Sequence, residues 1–161
     1  MIKHTIAVIV NDQPGVLQRV SGLFGRRGFN IESITVGTSE EVGLSRMVIV
    51  TTGDEQTLEQ ITKQLYKLID VIKVIHLSSN PIVARELALI KVSAEPAARP
   101  EIFGVVETFR AAVVDIGTHS VMVQVVGDTE KIDAMVELLK PYGIRELSRT
   151  GVTALNRGNS R

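Results

Sequence analysis

The sequence predicts an α+β protein built from two tandem ferredoxin-like βαββαβ domains. Three observations carry this. Short β-branched runs and amphipathic helical runs succeed one another in the order β-α-β-β-α-β. The same order returns after roughly 80 residues, too long a period for a solenoid unit. A stretch rich in Ser, Asn and Pro, residues 78–83 (SSNPIV), separates the two runs. The expected domains are therefore residues 1–78 and 84–161.

The elements follow in order. Residues 5–10 (TIAVIV) are β-branched and apolar, hence a strand, and Asn11-Asp12-Gln13-Pro14-Gly15 breaks it. Val16, Leu17, Val20, Leu23 and Phe24 then fall on one face of a helix. Pro14 suits the first helical position, where its missing N–H costs nothing. Arg26 and Arg27 complement the negative end of the helix dipole, and Gly28 suits a left-handed cap. Gly22 and Gly25 are expected to allow close helix packing. Residues 29–37 and 44–52 form a strand pair joined by a polar turn with Gly43. Asp54 caps a helix whose apolar face is Leu58, Ile61, Leu65 and Leu68, and residues 71–77 make the fourth strand. In the second run the strands are residues 86–93, 112–117, 121–126 and a weaker 144–149. Pro100 opens one helix; Asp128 or Thr129 starts the other, and Pro141 ends it. The tail from Asn156 is polar and expected to fray.

Composition narrows the function. Lys+Arg and Asp+Glu are both 18, so the net charge is zero and nothing draws nucleic acid or an anionic membrane. There is no cysteine, which excludes disulfides, thiolate metal sites and a Cys nucleophile. The N-terminal apolar run is too short for a signal peptide, and no stretch reaches the ~20 apolar residues of a membrane helix. A cytoplasmic protein is the expectation. Strand one is apolar on both faces, so its helix-free face is expected to meet something. A homodimer or larger assembly is the expected means.

The segment most able to do chemistry is the turn from strand one into helix one. A helix N-terminus offers unpaired N–H groups and partial positive charge, which suit an amino acid's carboxylate. Gly15 lets a ligand approach the backbone, Asp12 could hold an ammonium or cap the helix, and Asn30 offers a donor and an acceptor. Taken locally, a Pro-Gly turn with an Asp is first of all a helix start.

The run DQPGVLQRVSGLFGRRGFNIESITVG, Asp12 to Gly37, resembles the ACT domain of acetolactate (acetohydroxyacid) synthase regulatory subunits. LSRMVIV (Leu44 to Val50), LEQITKQLYKLIDVIKV (Leu58 to Val74) and RTGV (Arg149 to Val152) are similar to the same family. D-x-P-G-V-L alone marks a generic ACT domain; with RRGFNIES and LSRM the pattern is specific. The resemblance spans almost the whole chain and makes the first domain an ACT domain. It implies side-by-side dimers that bind a regulatory amino acid at their interface, chiefly valine, with leucine and isoleucine not separated. The implied site residues are Asp12, Gln13, Pro14, Gly15, Val16 and Leu17, with Asn30, Ile31 and Gly37 from strand two. It also implies a non-catalytic chain without cofactor or metal, which activates a large catalytic subunit and confers feedback inhibition on it. The alternative is a stand-alone amino-acid sensor acting on another enzyme or a transcription factor. In the second domain the corresponding turn, Glu95-Pro96-Ala97-Ala98-Arg99-Pro100, lacks D-x-P-G, so the effector site is expected in the first domain only.

Other candidates are weaker. His4, His76 and His119 have no metal-ligand spacing, and Ser33, Ser45 and Ser120 lack a G-x-S-x-G setting. Glu32, Glu40 and Glu41 have no partner constellation for acid–base work. An RNA-recognition module has the same element order but needs aromatics on its central strands; Leu44 to Val50 has none, and aromatics are 4% of the chain.

Overall fold

Mostly β-branched residues form β1 (Ile2–Asn11), and the computed structural model describes residues 2–158. Then come α1 (Val16–Arg26), β2 (Ile31–Thr38), β3 (Leu44–Gly53), α2 (Glu55–Tyr66) and β4 (Val71–His76). The strands form one antiparallel sheet in the order β2-β3-β1-β4. Alternation assigns the two faces. Ile6, Val8 and Val10 of β1 and Met47 and Ile49 of β3 pack against Val16, Val20 and Phe24 of α1 and Leu58, Ile61 and Leu65 of α2. Phe24 meets Phe29 edge to face, ring centroids 6.4 Å apart. Asp54 caps α2 as its position suggested, its carboxylate accepting the Thr57 N–H at 2.8 Å. β1 is longer at both ends than its apolar run, pairing with β3 from Ile2 to Asn11.

The second βαββαβ unit comprises β5 (Ile82–Ser93), α3 (Arg99–Thr108), β6 (Ala112–Ile116), β7 (Ser120–Gly127), α4 (Thr129–Leu139) and β8 (Ile144–Arg149). Its five-stranded sheet runs β6-β7-β5-β8, with the chain's last strand, Thr153–Asn156, also paired to β5. Ala88, Ile90, Val92, Val121, Val123 and Val125 pack against Ile102, Val106, Ile132, Met135 and Leu139. Asp128 caps α4 through the Lys131 N–H at 2.9 Å. Among the described residues no helix is long and apolar enough to cross a membrane.

The stretch expected as a linker carries structure. Leu77–Ser79 make a 3-10 turn with Leu77 fully buried, and β5 already begins at Ile82. One compact unit runs to Val83 and takes the chain back from Val152; the other is Ala84–Gly151. The sequence does not predict the last strand, β9 (Thr153–Asn156), which pairs with β5 and clusters with the first unit. Asn156, where fraying was expected, ends this strand, and Arg157 donates from its N–H to the Pro81 carbonyl at 2.9 Å and from Nε to the Ile82 carbonyl at 3.0 Å. Residues 159–161 of that tail lie outside the described residues.

Glycine roles in helix one differ from expectation. A Cβ at Gly25 would meet nothing within 4 Å, and one at Gly22 only the Arg26 guanidinium at 3.2 Å, so neither sits at a close helix crossing. Gly28, at φ 72°, does take the left-handed conformation that ends the helix.

Candidate functional site

β1 ends against the tip of the β2–β3 hairpin, where the Asp12 N–H donates to the Gly43 carbonyl at 2.8 Å. The chain then reverses in a four-residue turn closed by the Val16 N–H on the Gln13 carbonyl at 3.3 Å. Pro14 and Gly15 occupy the two central positions, Gly15 at φ 85° and ψ −4°, the signature of a type II turn. This corrects the role of Pro14. It fixes the first bend of the turn rather than opening the helix, because Gly15 lies outside the helical region and α1 begins only at Val16.

No side chain caps α1, and its first turn holds no acidic residue. The Arg19 N–H reaches the Gly15 carbonyl at 3.0 Å, while the Leu17 and Gln18 N–H groups find no acceptor among the described residues. Two donors at the positive end of the helix dipole are therefore open. Leu17 is 46% exposed beside them. Asp12 and Gln13 are also exposed. Val16 is different: its side chain lies in the core and its amide is already used, so it contributes no surface to a ligand.

The space around Gly15 itself leaves no room for a side chain. A Cβ there would lie 2.9 Å from Nη1 of Arg19. That guanidinium donates through Nε and Nη2 to Oδ2 of Asp70, at 2.9 and 2.7 Å. The Asp70 carbonyl in turn accepts the Asn11 N–H at 2.9 Å. One aspartate thus ties the end of β1, the first turns of α1 and the loop before β4 together. Sequence reasoning missed Arg19 and Asp70, which lie 51 residues apart and carry no local signal.

Of the remaining predicted residues, only Gly37 lies at the turn's end of the sheet. In the ladder Gly37 pairs with Arg46 and Arg46 with Ile9, at the turn end of the sheet. Ile31 pairs with Thr51 and Thr51 with His4, at the opposite end. Asn30 precedes Ile31 there, its carbonyl accepting from Thr51 Oγ1 at 2.6 Å. Asn30 and Gly37 are thus separated by about 23 Å along the strand, at roughly 3.3 Å per residue. Within one chain, Gly37 joins the turn and Asn30 and Ile31 do not. The strand linking them, β2, is an edge of the sheet. Exposed apolar side chains mark the turn end: Leu17, Val36 and the fully exposed Val42.

The corresponding turn of the second unit is occupied from within. Arg99 donates from Nε to the Ala94 carbonyl at 3.0 Å, and from Nη2 to the Gly117 and Thr118 carbonyls at 2.7 and 2.9 Å. The histidines have ordinary partners: His4 the Gly53 carbonyl, His76 the Thr62 hydroxyl, His119 the Glu95 carboxylate. Among the described residues no three His, Asp or Glu side chains are grouped so as to hold a metal.

Comparison with known proteins agrees with this architecture. Residues 6–73 match the family model described as an AHAS small subunit-like ACT domain. Residues 85–158 match that described as the small subunit of acetolactate synthase. The chain is 52% identical over 160 residues to a probable acetolactate synthase small subunit of Archaeoglobus fulgidus, covering 99% of this chain and 100% of the relative. It is 52% identical to the acetolactate synthase small subunit of Bacillus subtilis, covering 98% of this chain and 92% of the relative. The crystal structure of the Thermotoga maritima small subunit superposes with a TM-score of 0.91 at 44% identity, covering 99% of this chain and 100% of that one. The chain belongs to the acetolactate synthase small-subunit family, as a regulatory, non-catalytic subunit whose first domain is an ACT domain.

Proposed function

We propose that this subunit acts in the cytoplasm as a dimer that binds valine at the β1–α1 turn and passes the signal to a large catalytic subunit of acetolactate synthase. The observation that carries this reading is the placement of the site residues on β2. A two-fold axis beside an edge strand sets a second β2 antiparallel to the first. Asn30 and Ile31 of a second copy then lie beside Gly37 and the turn of the first. Residues that one chain holds at opposite ends of a strand come together twice in the pair. The valine carboxylate meets the open Leu17 and Gln18 amides. Its ammonium meets the oxygen of Asp12 or of Asn30 from the second copy, and its side chain the apolar surface of Leu17. Bound to the large subunit, the chain raises its activity, and valine shifts the complex toward its inhibited state with a coupling of about 1–3 kcal/mol.

Calorimetric titration of valine into the full-length chain, alongside Asn30→Ala, tests the site. The expected result is a dimer whose valine affinity falls at least about tenfold in the variant, or about 1.4 kcal/mol. Equal affinity in the two proteins, or valine binding to a monomer, would reject it. Co-purification with the large subunit, assayed with and without valine, tests the regulatory half.

A further inference from the structure

One motif is unused by the effector site: Arg149-Thr150-Gly151-Val152. The chain crosses from the second unit back to the first here, and its residues are fixed on both sides of the crossing. Arg149 grips Glu86 with two hydrogen bonds, Nε to Oε1 at 2.6 Å and Nη2 to Oε2 at 3.0 Å, and reaches Asp133 at 2.7 Å through Nη1. Thr150 is bonded to Leu87 in both directions, N–H to carbonyl at 3.0 Å and Leu87 N–H to Oγ1 at 3.1 Å. All these partners lie in the second unit. The Val152 carbonyl accepts from Thr35 Oγ1 at 3.0 Å, and its N–H donates to Ser33 Oγ at 3.5 Å. The Ala154 carbonyl accepts from Arg46 Nη2 at 3.1 Å. These partners lie in the first unit, on the helix-free face of its sheet. Only Gly151, at φ 84°, stands between the two sets of bonds.

We propose that this joint couples the β2 edge to the second unit: a change in β2 is transmitted along the covalent chain to Thr150 and Leu87. Ser33 and Thr35 sit on β2 between Asn30-Ile31 and Gly37, so whatever settles those residues also settles the two hydroxyls that hold Val152. One residue of spacing leaves little slack to absorb the change. Coupling of this kind is reciprocal, so the grip on Val152 must also influence valine affinity. The ligand-driven half rests on the valine reading above; the joint itself does not.

Residue-resolved amide hydrogen exchange on the full chain tests it, with and without saturating valine, for wild type and the Ser33→Ala/Thr35→Val double variant. Without ligand, the variant should exchange at least about fivefold faster at Leu87 and Thr150, the low end of usual coupling factors. Val123 and Val125, in the second core, should be unchanged. Thr35→Ser, which keeps a hydroxyl, should restore wild-type rates when Ser33 is intact. Valine should slow Leu87 and Thr150 in wild type and not in the double variant. Unchanged rates at Leu87 and Thr150 in the ligand-free variant overturn the proposal. So does a uniform rise that includes Val123 and Val125, or a valine effect of equal size in both proteins. If wild type binds no valine, the effector reading fails, and the ligand-free comparison still decides the joint.

Discussion

Replacing Arg149 with methionine should unfold the second unit more readily than almost any other single surface change. Glu86 is 5% exposed, and the Arg149 guanidinium is the cation on its carboxylate. Hydrogen bonding to Glu86, aided by Asp133 and opposed by burial, holds the Arg149 pKa above the usual arginine range. Arg149→Met leaves a buried carboxylate without its partner, which costs about 3–5 kcal/mol. The Asp133 arm adds little, since that carboxylate is 58% exposed and exposed pairs contribute about 0–1 kcal/mol. Against a domain stability of about 5–15 kcal/mol the loss is large. Urea titration of the full chain, followed by circular dichroism, should show the second unit melting some 2 M earlier at an m-value of about 2 kcal/mol/M. A companion variant, Arg149→Met with Glu86→Leu, removes both charges and should recover most of the loss. A loss below about 1 kcal/mol for Arg149→Met alone would refute the reasoning, because it would equate this pair with a solvated one.

Three further outcomes follow from the same geometry. Gly15→Ala imposes a left-handed conformation on a residue with a Cβ and pushes against Arg19; it should cost about 1–2 kcal/mol in thermal unfolding and weaken valine binding by calorimetry. Gly25→Ala, in a helical position open to solvent, should instead raise stability by about 0.5–1 kcal/mol, and a loss there would mean that a close contact covers it. The Thr57 amide holds the exposed Asp54 carboxyl below its ordinary value. Its contribution is therefore complete above the unfolded pKa of about 3.9 and fades as pH falls through the lowered folded value. The stability gap between wild type and Asp54→Ala should be full at neutral pH and shrink in acid; a gap that widens on acidification would contradict the cap.

The fold was legible because its signals are local and repeated. Val16, Val20, Leu23 and Phe24 spell one helix face, and Asp54 and Asp128 sit where caps belong. The alternation of Ile6, Val8 and Val10 marks a strand. What escaped was non-local. Val152-Thr153-Ala154 is too short and too mild to read as a strand; its packing depends on hydroxyls at Ser33 and Thr35, more than a hundred residues earlier. Pro14-Gly15 reads as a turn in the sequence, but only the positive φ of Gly15 shows that Pro14 belongs to the turn and not to the helix. The candidate site is legible residue by residue only through the family resemblance. That Asn30 and Ile31 stand apart from Gly37 is a matter of strand register, which no local pattern encodes. The Arg19–Asp70 pair joins residues on different elements and has no sequence signature.

The return of Val152 onto the first sheet has a consequence for biosynthesis. A ribosome finishes the first unit's globule only after it has made all of the second. A nascent chain that has just passed residue 83 exposes Ser33, Thr35 and Arg46 without the carbonyls and amide that later meet them. The amino-terminal fragment is therefore an unfinished body rather than a free module, and cutting the polypeptide at its midpoint would separate a lock from its latch.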